Sequence, residues 1–109
     1  MVRDQFIKGT IEMVVLSLLN RKDMHGYLIT QELRAKSPEF LGVKEGTLYP
    51  LLMRLERRGL VRGRWERPVG KRRQHVYSIT DKGRKGLKER KSMWSGLTRA
   101  VRLFVPTPA

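Results

Sequence analysis

The chain has 109 residues, enough for one domain with a small core, and no cysteine, which excludes disulfide frameworks and thiolate metal sites. Its 24 Lys and Arg residues outnumber its 10 Asp and Glu residues, for a formal net charge of +14. The charge is uneven, because residues 1–53 hold 7 basic and 6 acidic residues whereas residues 54–109 hold 17 basic and 4 acidic. A neutral half followed by a strongly basic half predicts a surface that contacts a polyanion.

The first apolar segment, residues 11–19, predicts a helix over residues 10–20 with Thr10 as its N-cap. Glu12 interrupts this segment, no small-residue cleavage site follows it, and it is too short to span a bilayer. These features argue against a signal peptide, so we expect a cytoplasmic protein without a membrane partner.

A second helix is predicted over residues 27–36, after a turn at residues 24–26. It ends at Ser37, because the residue before a proline avoids helical angles. Residues 40–44 are then expected to form a connector to the next helix.

The segment EGTLYPLLMRLERRGLVRGRW, residues 45–65, is typical of an amphipathic helix that runs into a strand. Its leucines recur at spacings of three and four and share one face: Leu48, Leu51, Leu52 and Leu55. The other side carries Thr47, Pro50, Arg54, Arg57 and Arg58. Gly59 can adopt the left-handed conformation that closes a helix. An apolar back, a basic front and a following hairpin indicate a DNA-reading helix with a wing.

Pro50 leaves the start of this third helix open. If Thr47 is the N-cap, Pro50 lies in the first turn, where its missing N–H costs nothing. If the helix begins nearer Glu45, Pro50 strains the turn and the helix bends there.

Residues 60–66 and 74–80 alternate well enough to predict two strands of a β-hairpin. The loop between them, residues 67–73, contains turn residues and ends in three consecutive positive charges, Lys71, Arg72 and Arg73. The sequence therefore predicts a wing with a basic tip.

Thr80 is expected to cap a long final helix that runs to about Val105, with Asp81 in its first turn. An a/d pattern of apolar residues follows this helix, with a basic gap at Arg90: Leu87, Trp94, Leu97, Val101 and Phe104. Such a stripe exceeds what one small core needs, so these residues are predicted to form the contact between two copies of the chain.

The order helix, helix, helix, strand, strand, helix predicts a winged helix-turn-helix, a mainly α fold with a β-hairpin wing. Residues 1–80 would form the DNA-binding domain, and residues 81–105 a dimerisation helix within the same compact domain. The predicted contacts with double-stranded DNA are Gly46, Thr47, Tyr49, Pro50, Arg54, Lys71, Arg72 and Arg73.

Arg54 can bind a guanine edge in bidentate fashion or a phosphate. Thr47 and Tyr49 can donate to phosphates near the helix N-terminus, and Gly46 lets the backbone come close. The three wing cations can pair with phosphates or enter a narrow minor groove. Plainer interpretations remain, because Tyr49 could be half-buried core and Arg57 and Arg58 could be solvated helix-end charges.

Other functional classes have less support in the sequence. No paired histidines, glycine-rich phosphate loop or acidic pair indicates an enzyme, a metal site or a cofactor, and His25 and His75 are interpreted as turn and strand residues. The alternative is a basic RNA-binding or ribosome-associated protein. The apolar stripe of the last helix favours the DNA-binding regulator over this alternative, since a ribosomal protein has no need of a dimer contact.

The chain resembles the PadR family of transcriptional regulators over nearly its whole length. The matching segments are LSLL at 16–19, HGY at 25–27, EGTLYPLLMRLERRGLV at 45–61, Trp65, Tyr77, Ile79, Thr80, Gly83 and Trp94. The run GTLYP–RLE–GL is the most specific of these.

The resemblance implies a homodimeric winged-helix repressor that binds an inverted repeat at a promoter and dimerises through its C-terminal helix, often with the N-terminal helix. Since the chain stops soon after that helix, it is similar to the short subfamily without a separate C-terminal domain. In multidrug-responsive members, the tryptophan that matches Trp94 faces its symmetry mate and stacks on flat aromatic ligands, whereas other members bind phenolic acids. Some members have no known effector, so the resemblance leaves two alternatives for Trp94: it binds an aromatic small molecule, or it packs against its symmetry mate and closes the dimer contact.

Overall fold

The computed structural model describes residues 2–106 and the side chains from Gly9 onward, and it combines helices with one small sheet. The elements in chain order are α1 (Val2–Arg21), β1 (Met24–His25), α2 (Gly26–Lys36), α3 (Pro38–Leu41), α4 (Glu45–Arg57), β2 (Val61–Glu66), β3 (Gln74–Ile79) and α5 (Asp81–Arg102). The predicted mainly α fold with a hairpin wing is confirmed.

The sheet is antiparallel, with strand order β1-β3-β2. Strand β1, which pairs Met24 with Tyr77 of β3, was missed, because residues 24–26 were interpreted only as a turn. A two-residue strand is too short to show alternation in the sequence. His25 then caps α2, since its ring Nδ1 accepts a hydrogen bond from the Leu28 N–H at 3.2 Å.

Helix α5 ends at Arg102 rather than at about Val105, and two further elements differ from the prediction. Helix α1 begins at Val2 rather than after Thr10, because a glycine inside a helix costs only about 1 kcal/mol and Gly9 does not break it. The connector predicted over residues 40–44 partly folds as α3, a single turn that starts at Pro38. Proline suits the first position of a helix, where no N–H is needed.

Helix α4 begins at Glu45, the earlier of the two predicted starts. Lys44 is the N-cap and its carbonyl accepts from the N–H groups of Thr47 and Leu48, both at 3.0 Å. Pro50 therefore lies inside the helix. Because proline has no N–H, the carbonyl of Gly46 lacks the donor it would have in a regular helix.

The core is built from the inward faces of α1, α2 and α4 and from the sheet, with Leu16, Ile29 and Leu52 fully buried. Leu87 of α5 belongs to this core and is 3% exposed. The prediction that Leu87 contacts a second copy is therefore wrong, because its side chain is already buried within one chain. Gly83, one turn earlier, fits closely, since an added Cβ would lie 2.0 Å from the Leu60 carbonyl.

A half-buried carboxylate explains the basic gap in the apolar stripe of α5. Glu12 of α1 accepts from Arg90 of α5 at 3.1 Å and from Arg58, just after α4, at 3.4 Å. Arg90 is therefore directed at α1 rather than at solvent. One carboxylate thus connects the first helix, the end of the third predicted helix and the last helix.

Candidate nucleic-acid interface

Four residues of α4 form a line along the side of the helix opposite the buried leucines. Gly46, Pro50, Met53 and Arg57 follow one another at spacings of four, three and four, and all four are exposed. Met53 and Arg57 were not among the predicted DNA contacts. The signal that could have identified them is the same helical spacing, counted from the centre of the leucine face.

Tyr49 lies at one side of this line and packs on the N-terminus of α2. An added Cβ at Gly26 would lie 2.9 Å from the Tyr49 hydroxyl, so the glycine of the HGY segment makes room for the tyrosine of GTLYP. Burial raises the pKa of Tyr49, and the negative charge of Glu45 adds to this. The hydroxyl is therefore protonated at neutral pH and can donate a hydrogen bond, and the packing on Gly26 agrees with the interpretation of Tyr49 as partly buried.

The first turn of α4 is open. Gly46 and Thr47 are exposed, and an added Cβ at Gly46 would meet nothing within 4 Å. The fold itself therefore does not require glycine at this position, although glycine weakens a helix by about 1 kcal/mol. Close approach by a bound partner would explain the residue.

The arginines that follow on α4 have different surroundings. Arg54 is half-buried, Arg57 is exposed, and Arg58 pairs with Glu12. The Arg58 side chain stays 55% exposed at the end of α4, so it is a helix-end charge that also contacts Glu12.

The wing carries its cations at the tip. Lys71, Arg72 and Arg73 are exposed in the segment between β2 and β3, where the Lys71 N–H donates to the Pro68 carbonyl at 3.0 Å and Gly70 has φ of 74°. A positive φ favours glycine, which stabilises this turn. The structure thus brings the three predicted wing residues together on one loop.

An aromatic stack stiffens the wing. Trp65 lies opposite His75, their rings are 4.6 Å apart and nearly parallel, and the Arg73 guanidinium lies 4.7 Å from the Trp65 ring centroid. Gly63 permits this packing, since an added Cβ would lie 2.3 Å from His75 Nε2. Such stacking and cation–π contacts hold Arg73 in place while leaving its charge accessible.

Arg64 lies on the other face of β2, and two carboxylates balance its positive charge. It forms ion pairs with Glu66 and with Asp23, and hydrogen bonds to these two carboxylates raise its pKa. Arg64 is therefore less available to a phosphate than the cations at the tip.

The rest of the α5 stripe is not covered within one chain. Trp94 and Val101 are each 47% exposed, Leu97 is 58% exposed and Phe104 is 84% exposed. Trp94 also borders an apolar groove of about 460 Å³ between α1, α2, α3 and α5. The charged residues that line this groove are Arg21, Glu32, Lys36 and Lys91.

The sequence model of the PadR-like family of transcriptional regulators matches residues 15–89, which include α4, the wing and the first turns of α5. The chain belongs to this family. Transcription regulation, rather than catalysis, is what the family does, and the winged helix described above is the part of the chain that the match covers.

Two solved structures share the fold over most of this chain, and one further relative is similar in sequence. A transcriptional regulator from Clostridium thermocellum has a TM-score of 0.83 and 32% identity, covering 93% of this chain and 95% of that one. A PadR-like regulator from Bacillus cereus has a TM-score of 0.82 and 29% identity over 95% and 99%. The transcriptional regulator Rv3488 of Mycobacterium tuberculosis is 35% identical over 97 residues, 89% of this chain and 87% of its own.

Residues 2–106 lack two kinds of feature. No helix in this part of the chain is long and apolar enough to cross a membrane. The described residues also contain no group of three or more His, Cys, Asp or Glu side chains that could hold a metal ion.

Proposed function

We propose that the protein is a sequence-specific DNA-binding repressor that acts as a homodimer on an inverted-repeat operator. The observation that carries this proposal is the exposed outer face of α4 beside a wing whose three tip cations are unburied. In winged helix-turn-helix proteins the corresponding helix enters the major groove and the wing contacts the adjacent backbone or groove.

The proposed contacts divide by chemistry. Thr47 and Tyr49 donate to phosphates at the start of α4, where Gly46 allows the backbone to approach. Arg54 contacts a guanine edge or a phosphate, and Pro50 lies against the bases at the centre of the helix face. Lys71, Arg72 and Arg73 contact phosphates or a narrow minor groove without selecting a sequence.

The homodimer is proposed from the uncovered part of α5. Trp94, Leu97 and Val101 form an apolar stripe on a helix that is otherwise strongly basic, and Phe104 follows in the turn just after that helix. A two-fold interface brings the same stripe of both copies together and sets the separation of the two α4 helices. An inverted repeat in the DNA would match that symmetry.

Selection of bound sequences from random double-stranded DNA tests the function. We expect enrichment of a palindromic motif with half-sites about one helical turn apart. Double-stranded RNA of the same sequence should compete poorly, because its major groove is too deep and narrow for α4. Absence of any enriched motif, or tighter binding to the RNA, would instead favour the RNA-binding alternative.

A second proposal is that a planar aromatic molecule acts as effector at Trp94. The support is the position of this ring, half exposed at the border of the apolar groove and on the proposed dimer contact. Two indoles facing each other across the two-fold axis could sandwich such a ligand and change the distance between the α4 helices. Three of the four charged groove neighbours are cations, which favours an aromatic anion.

Trp94 fluorescence measures this binding directly. In a Trp65→Phe background, titration with 2-naphthoate should quench Trp94, and 2-naphthylmethylammonium should bind more weakly. A Trp94→Ala variant followed by calorimetry should lose more than about 0.5–1.5 kcal/mol of binding free energy, because the area buried by the indole is lost together with the stacking. Equal affinity in both proteins, or no binding to either, would remove the effector proposal.

A further inference from the structure

The centre of the α4 outer face is apolar, although the surface around it is basic. Met53 is 55% exposed, and Pro50, one turn before it on the same line, is also exposed. Arg57 follows Met53 by one turn, and Gly46 precedes Pro50. Two apolar side chains therefore occupy the middle of the line, between an exposed glycine and an exposed arginine.

Three of the side chains near this line contact other elements of the fold. Tyr49 packs against Gly26 of α2. Glu56 accepts the Gly63 N–H of β2 at 3.0 Å. Arg58 pairs with Glu12 of α1. These contacts fix the rotation of α4 about its axis, so the line with Met53 at its centre is the surface presented to a partner.

The chemistry of that partner can be narrowed from the apolar side chains. In the major groove the base edges display hydrogen-bond donors and acceptors, together with one apolar group, the 5-methyl of thymine. Pro50 has no N–H and Met53 has no strong donor or acceptor, so neither can recognise a polar base edge well. Methionine is unbranched and adaptable, which suits contact with a small protruding methyl group.

We propose that Met53, supported by Pro50, recognises the 5-methyl group of a thymine in each operator half-site. The inference rests on the proposed function, since it requires α4 to lie in the major groove. Met53 thereby becomes a specificity-determining residue, whereas the surrounding arginines supply mainly affinity through phosphates.

A scan with deoxyuridine tests this contact, because the change removes the methyl group and leaves base pairing intact. Each thymine of one half-site in the selected operator is replaced singly, and affinity is measured for the wild type and for Met53→Ala. At one position we expect wild-type affinity to fall about fourfold, as for loss of one buried methyl group. At that same position Met53→Ala should show no further loss, and Met53→Leu should retain the sensitivity.

Two controls separate this contact from damage to the fold or to the function. The exposure of Met53 predicts unchanged melting temperatures for both variants, and Arg57→Ala should weaken binding while keeping the deoxyuridine sensitivity. A flat scan in the wild type, or equal losses in the wild type and Met53→Ala, overturns the inference while specific DNA binding stands. If no DNA sequence is selected at all, the proposed function and this inference fail together.

Discussion

Operator affinity is expected to fall by about 10³–10⁵-fold when salt rises from about 50 to 200 mM, if the dimer makes roughly 6–10 phosphate contacts. The physical reason is the release of counterions that phosphates bind before the protein arrives. The basic wing tip and the net charge of +14 indicate that cations provide much of this binding. Fluorescence anisotropy with a labelled operator at several salt concentrations gives the slope.

The wing contribution to this slope can be isolated. Replacing Lys71, Arg72 and Arg73 by Ala should reduce the slope by about three per subunit and weaken all sequences alike, because phosphate contacts carry no sequence information. A matched control removes three cations from the α5 face opposite the apolar stripe, at Lys85, Lys88 and Arg99. If the wing variant and the control have the same slope, the wing does not contact DNA.

The parts of the fold that local chemistry determines could be predicted from the sequence. The leucine spacing identified the buried face of α4, and Leu48, Leu51, Leu52 and Leu55 are all buried. Thr80 is the cap of α5, since its hydroxyl accepts the Gly83 N–H at 3.0 Å. These features depend on residues within one or two turns of each other, so pattern and capping rules are sufficient.

The features that were missed depend on contacts between distant segments. Strand β1 exists because Met24 and His25 pair with β3, about 50 residues later in the chain. Arg90 interrupts the α5 stripe because Glu12 of α1 lies opposite it. The packing of Tyr49 on Gly26 likewise joins two motifs that no local periodicity connects.

The candidate DNA interface also combines features that local pattern predicts with features that depend on distant contacts. Helical spacing placed Thr47, Pro50 and Arg54 away from the leucine face, but it did not reveal which of the outward side chains are engaged by neighbours. That depends on the positions of α1, α2 and β2, which hold Arg58, Tyr49 and Glu56 respectively. Only the assembled fold leaves Met53 and Arg57 as the central exposed residues, so composition and charge alone favoured Arg54.

Charging the α5 stripe is expected to convert the dimer into a monomer and to weaken operator binding by about 10²–10⁴-fold, since the second half-site then loses its effective concentration. The variant is Leu97→Glu combined with Val101→Glu. Both side chains are about half exposed in one chain, so the substitutions should leave the core intact. Sedimentation at about 0.3 M salt, where screening reduces repulsion between the basic flanks of α5, should show the change in mass.

The matched control places the same two negative charges on the other side of α5, as Ser92→Glu combined with Ser95→Glu. Both serines are exposed and lie away from the stripe by helical spacing. The control should remain a dimer and lose only the affinity that two extra negative charges remove, so the difference between the variants measures the contribution of dimerisation. A wild type that sediments as a monomer at micromolar concentration would contradict the dimer. Equal affinity of both variants for the palindromic operator would show that each chain binds its half-site independently.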